Sequence, residues 1–448
     1  MRRFSARLAA SFILPLALAA CGDDGGTADS ANGDTGDTGT DPDGTADSGG
    51  VPAGCAGPSD VDARVEVPAS IDGDTTLTCD QVHVLTSITF VNSGTLTIEP
   101  GTTILGGAGS ALVIDQGAAI DASGTADAPI VMTSINVGAG PARGDWGGLV
   151  LIGDAPTNVG TGSAEGFPTP PSYGGDDASH DCGTLSYVRV EWAGNEISPG
   201  NELNGITFYS CGTGTAVDHV QVHMGLDDGI EMFGGNFDAD HIIVTGAADD
   251  SLDCDQGYSG NLEDVFIHQD PTVGDNCLEW SNQGNDFVAT PLTSPSVTHM
   301  TCVGSGADGD KSKGATLKEG AQANIIDSVF AGLTNEGIVL QNQATQSQAE
   351  GGSISLAGSH FCDGAAFVVD ADDEDPDPAG WTSEDFGGWV VGDGGATDGT
   401  ACPFASASWG SPDVSMGDGT PTGGSGYAGA VDPAGDNWTT ASWINYGV

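Results

Sequence analysis

Basic side chains are scarce. Only 9 Lys and Arg stand against 64 Asp and Glu in 448 residues, a formal charge of −55. Phosphate backbones are held through basic footprints, so this balance excludes a nucleic-acid ligand. Polyanionic glycans and anionic membrane surfaces are repelled in the same way unless a divalent cation bridges them. Aromatics are 6% of the chain while glycine fills 72 positions, which suits a turn-rich β protein better than a helical one. After the N-terminus, no apolar run approaches the ~20 residues of a membrane-spanning helix. C-x-x-C pairs, H-E-x-x-H, a phosphate loop and a Ser/His/Asp nucleophile pattern are all missing.

What is present begins with an export signal. Residues 1–20 have a basic start, an apolar run and small residues ahead of Cys21. "LAAC" at 18–21 resembles the lipobox of bacterial lipoproteins, which implies a diacylated Cys21 as the mature N-terminus and a protein anchored in the outer membrane, facing the cell surface or the periplasm. Loss of Arg2, Arg3 and Arg7 with the signal would leave six basic residues against all the acids. Residues 21–51 carry the lipidated cysteine and a low-complexity Asp/Gly/Thr linker, too apolar-poor to fold, so a disordered tether is expected.

Nine further cysteines follow, and export favours their pairing. Proximity suggests Cys55–Cys79, Cys182–Cys211 and Cys362–Cys402. Cys254, Cys277 and Cys302 compete for one bridge, leaving one thiol free.

The stretch 225–257 holds nine acids in 33 residues, yet apolar residues are threaded through it. Anchors recur at Ile206, Ile230, Leu252, Leu278, Leu317 and Ile338, about 23 residues apart except across one insertion. Each follows a short alternating strand such as "VDHVQVHM", "ADHIIVTG" or "LEDVFIHQ". Short strands at this period match coils of a parallel β-helix over 52–345, with the six anchors as one inward column. Residues 346–448 read as an irregular segment or further coils packed on the helix end.

"GTLTIEPGTTI", "RGDWGGLVLIG", "LSYVRVEWAG", "NELNGITF", "DDGIEMFGG", "DDSLDCDQG" and "YAGAVDPAGDNWTTASWINYG" together resemble a bacterial cell-surface lipoprotein family. The resemblance implies an all-β, right-handed parallel β-helix of the pectate-lyase-like class, and no particular activity.

Stacking would align acids in columns: Asp227, Asp249 and Asp275; Asp228 and Asp250, continued by Asn276; and Glu231, Asp253 and Glu279. Carboxylates ~4.8 Å apart repel by about 3 kcal/mol at an effective dielectric of ~20. Outward splay into water, hydrogen bonds from turn amides, protonation or bound cations must offset that repulsion, and the plain reading is a solvated, splayed face whose side chains cap turns. An oxygen-only set of this density suits Ca²⁺. Lys318 continues the Glu231 column as a salt bridge ending the acid ladder. His219 and His241, 22 residues apart with His223 nearby, offer a second metal reading against one of outward polar residues. Arg143-Gly144-Asp145 spells an adhesion tripeptide by coincidence.

The expected protein is a monomeric, surface-anchored binding or structural module for a glycan or envelope protein. The alternative is a polysaccharide lyase or glycoside hydrolase, with Arg189 available as a lyase base.

Overall fold

The computed structural model describes residues 51–195, 202–304, 312–362, 365–370, 381–400, 402, 409 and 426–447. Cys21 and its linker lie outside the described residues, none of which forms a helix long and apolar enough to cross a membrane. Among the described residues, twenty-seven short strands join one network of parallel pairings.

One coil shows the plan. Strand Ile206–Tyr209 is followed by Ala216–His223, and the next strand, Ile230–Phe233, pairs back on the first with Ile206 opposite Ile230. Joining parallel neighbours takes a full turn of chain, and the right-handed turn is the favoured hand. Repeated, this makes the right-handed parallel β-helix. The longer strand of each coil bends at a residue in the left-handed region: Tyr187 (φ 49°), His219 (55°), His241 (51°), Asp264 (51°) and His299 (57°). Pairing steps over the bend, with Asp218 opposite Asp240 and then Val220 opposite Ile242. Left-handed backbone costs ~1–2 kcal/mol for most L-residues, and His and Asp are among those found there most often.

The short strands send two apolar columns inside, and the longer strands add others, such as Val220, Ile242, Val265 and Met300. Ile206, Ile230, Leu252 and Leu278 align as expected, but the column continues through Ala315 to Ile338. Leu317 belongs instead to the neighbouring column, between Trp280 and Leu340. A two-residue slip leaves every side chain on its face, so alternation alone cannot detect it. Lys318 shifts with it and lies opposite Ser281 rather than Glu279.

Among the described residues, four disulfides close Cys55–Cys79, Cys182–Cys211, Cys277–Cys302 and Cys362–Cys402. Cys254 is therefore not a bridge partner. It points into the core column beside Trp280 as a buried thiol, and Cys302 takes Cys277.

The ladders continue beyond 345, where Ala366–Asp370 pairs with Glu336–Gln341, and helix Ser383–Val391 opens on a Thr382/Asp385 capping box. Residues 426–447 run along the side of the coils rather than across their end. Val431, Trp443 and Ile444 pack on the outward Ile243, Phe266 and Val303.

Candidate metal centre

The acid cluster forms where the turn entering each short strand meets the strand itself. Coils approach closely there: a Cβ on Gly229 would sit 2.6 Å from the Ser251 carbonyl oxygen, so "DDG" needs its glycine. Asp228 Oδ1 accepts the Asp250 amide at 2.9 Å. Asp250 Oδ1 in turn accepts the Asn276 amide and Nδ2 at 2.7 and 2.8 Å, and Thr316 Oγ1 donates to Asn276 Oδ1 at 2.7 Å. The first column is thus a polar ladder, one rung per coil. Asp228 and Asp250 are only 7% and 5% exposed, which excludes the splayed, solvated arrangement for these two.

Glu231 lies opposite Asp253, and Asp253 opposite Glu279. Three sets of carboxylates have ligand atoms mutually within 4.8 Å: Asp227/Asp228/Asp249, Asp228/Glu231/Asp253 and Asp249/Asp250/Asp275. The far end is already neutralised, since Lys313 Nζ is 3.0 Å from Asp275 and Lys318 Nζ is 2.6 Å from Glu279. The expected lysine salt bridge therefore forms despite the shifted register.

Burial, then neighbouring acids, pushes Asp228, Glu231, Asp250 and Asp253 well above the carboxylate range. Burial likewise raises Asp255 to about 7. Two buried oxygens among these groups have no hydrogen-bond partner, Asp253 Oδ1 and Asn204 Oδ1. Asn204 also donates through Nδ2 to Glu231. Ca²⁺ takes six to eight oxygens from carboxylates, side-chain amides and water. The residues present fit that donor set, with Asp228, Glu231, Asp253 and Asn204 at its centre.

Sequence reasoning missed Asn204, although it stands two residues before Ile206, the offset of Asp228 from Ile230. It also missed Glu165, whose carboxyl hydrogen-bonds Glu231 from an insertion that no periodicity announces.

Other singled-out residues lie elsewhere. Arg189 pairs with Glu191 at 2.9 Å and donates to the Trp443 carbonyl at 2.8 Å, sealed under the C-terminal segment. Arg143 is bound to Asp270 at 2.6 Å, and Asp145 accepts from Ser134 and the Ala142 amide, so both charged ends of the tripeptide are tied into the fold. His219 and His241 stack at the strand bend, while His223 lies under Gly447.

These coils and their buried acid ladder define a β-helical module. The family model for pectate-lyase-like β-helix domains matches residues 69–410, and the chain belongs to that family. No curated protein and no solved structure matches it.

Proposed function

We propose that the protein is an outer-membrane lipoprotein, anchored through Cys21, whose β-helix binds Ca²⁺ and serves as a binding or structural module for a glycan or an envelope protein. One observation carries the cation reading: Asp228, Glu231 and Asp253 bring their oxygens within 4.8 Å of one another in a buried place where Asp253 Oδ1 and Asn204 Oδ1 have no hydrogen-bond partner. Bound Ca²⁺ would remove the repulsion between coils and complete those contacts. With the cation in place, an acidic ligand such as a uronate glycan could approach a surface that otherwise repels it.

The lyase alternative has less support. Arg189 is covered, and Lys318, although burial works to lower it, is held above its usual range by Glu279 and Asp253. A general base needs the opposite shift.

Calorimetric titration of metal-stripped protein with Ca²⁺ tests the reading. Saturable binding and a melting temperature raised by several degrees are expected, with a smaller effect from NaCl at equal ionic strength. No heat and no shift would leave a merely acidic surface. A glycan array with and without Ca²⁺ then tests the ligand class.

A further inference from the structure

A second donor cluster lies at the bend of the longer strands, apart from the acid ladder. His219 and His241 occupy the same bend in successive coils, their rings stacked 4.1 Å apart at 11°. Asp218 Oδ1 lies 2.7 Å from His219 Nδ1 and 3.3 Å from His241 Nδ1. Asp240 Oδ1 is 3.0 Å from that same His241 nitrogen, and Asp264 Oδ2 faces His241 Nε2 at 3.8 Å. Asp218/His219/His241 and Asp240/His241/Asp264 each bring their ligand atoms within 4.8 Å of one another. The Asp218 and Asp240 side chains are 50% and 47% exposed, and a groove of about 380 Å³ opens beside Asp240. An ion therefore has a path in from solvent. Trp438 stands edge-on to His241 at 4.9 Å and closes the other side.

We propose that this cluster binds a transition-metal dication, with Zn²⁺ the expected occupant, through Nδ1 of His219 and of His241 and the Asp218 carboxylate. Zn–N and Zn–O bonds of ~2.0–2.2 Å in tetrahedral geometry put ligand atoms ~3.3–3.6 Å apart; the 3.3 Å from Asp218 to His241 already matches that edge, and the 2.7 Å hydrogen bond to His219 would open as the ion enters. Imidazole with carboxylate selects Zn²⁺, Cu²⁺ or Ni²⁺, whereas the oxygen-only ladder selects Ca²⁺, so the two sites are chemically distinct. Imidazole lone pairs lie in the ring plane, so both rings must rotate about χ2 to aim at one ion. Metal ligation needs neutral imidazoles and an ionised carboxylate, so binding weakens as pH falls.

Titration with Co²⁺, whose tetrahedral complexes absorb strongly in the visible, tests the proposal. The full mature chain is used, without a histidine tag and with millimolar Ca²⁺ to fill the acid ladder. One Co²⁺ per chain should give a tetrahedral band that Zn²⁺ abolishes. His241→Asn, which tolerates the left-handed bend, should weaken binding by at least about tenfold. Asp218→Asn, on a half-exposed side chain, should do the same. Asp228→Asn with Asp250→Asn should leave the band unchanged. A spectrum that stays octahedral, or a band that survives undiminished in both Asp218→Asn and His241→Asn, overturns the site.

Discussion

Asp228 Oδ1 accepts the backbone N–H of Asp250, one coil further on, at 2.9 Å. Asp250 Oδ1 repeats the contact to Asn276 at 2.7 Å. A neutral asparagine could accept these amides equally well, as its carbonyl oxygen has the same reach. The two rungs are acids instead, buried within 4.8 Å of further carboxylates. In folding terms that is a cost: burial and mutual repulsion both disfavour the charged form. Protonation relieves that cost without metal, and the proposed cation would relieve it by taking the place of the protons.

Asp228→Asn together with Asp250→Asn should therefore raise metal-free stability, by about 1–3 kcal/mol, since the amide contacts survive and the charges do not. The same pair should abolish the Ca²⁺ increment, which for a folded-state ligand is about 2.7 kcal/mol at a hundredfold excess over Kd. Denaturant unfolding with and without Ca²⁺ measures both. A double mutant whose Ca²⁺ response is undiminished places the cation elsewhere.

Much of this was legible from spacing. Ile206, Ile230, Leu252 and Leu278 recur at nearly even intervals, and that rhythm carried the fold, the inward column and the acid columns beside it. It broke across residues 281–312, where the insertion removes the interval and Ala315 is too small to stand out beside Leu317. The bends at His219 and His241 were invisible, because a left-handed residue in a strand leaves the apolar alternation on either side intact. Burial was invisible too. Glu165 arrives from an insertion and Trp443 from a C-terminal segment some 250 residues beyond Arg189, and no local pattern encodes such closures.

The corrected register makes a sharp prediction at Ala315, fully buried between Leu278 and Ile338. Ala315→Leu should overpack that column and cost about 1–3 kcal/mol. Leu252→Ala, in the same column, should cost about 2–5 kcal/mol, and Leu252→Asp should collapse the acidic coils outright. Urea unfolding and protease resistance report each variant. A neutral Ala315→Leu would return Leu317 to the column.

Anchoring is tested at one atom. Cys21→Ser removes the only thiol that a lipobox would acylate, so the protein should move from the membrane fraction to the soluble one. Continued partitioning into detergent in that variant would mean that the export signal, or another segment, holds it.

Proton and calcium should compete, and the pH dependence follows from two sets of groups of opposite sign. Asp228, Glu231, Asp250 and Asp253 have folded pKa values raised above their unfolded ones, near 4, by burial and then by one another. The folded state therefore binds more protons above that pH, and metal-free stability falls as pH rises from about 4. His223 and His268 run the other way. Burial lowers each to about 4, so the unfolded chain binds more protons between about 4 and 6.5, and stability falls as pH drops through that window. His223 sits between Thr245 Oγ1 and the Gly447 carbonyl oxygen, at 2.7 and 2.8 Å, so its protonation should loosen the C-terminal segment first. Saturating Ca²⁺ removes only the first effect. The difference in Tm with and without Ca²⁺ should thus be near zero at about pH 4, where protons neutralise the ladder, and should grow steadily towards neutral pH. With Ca²⁺ bound, the acid-side loss set by the histidines should stand without the opposing carboxylate effect. Thermal melts across pH 4–8, with and without Ca²⁺, measure both. A Ca²⁺ increment as large at pH 4 as at pH 7 would show that the buried carboxylates are not the ligands.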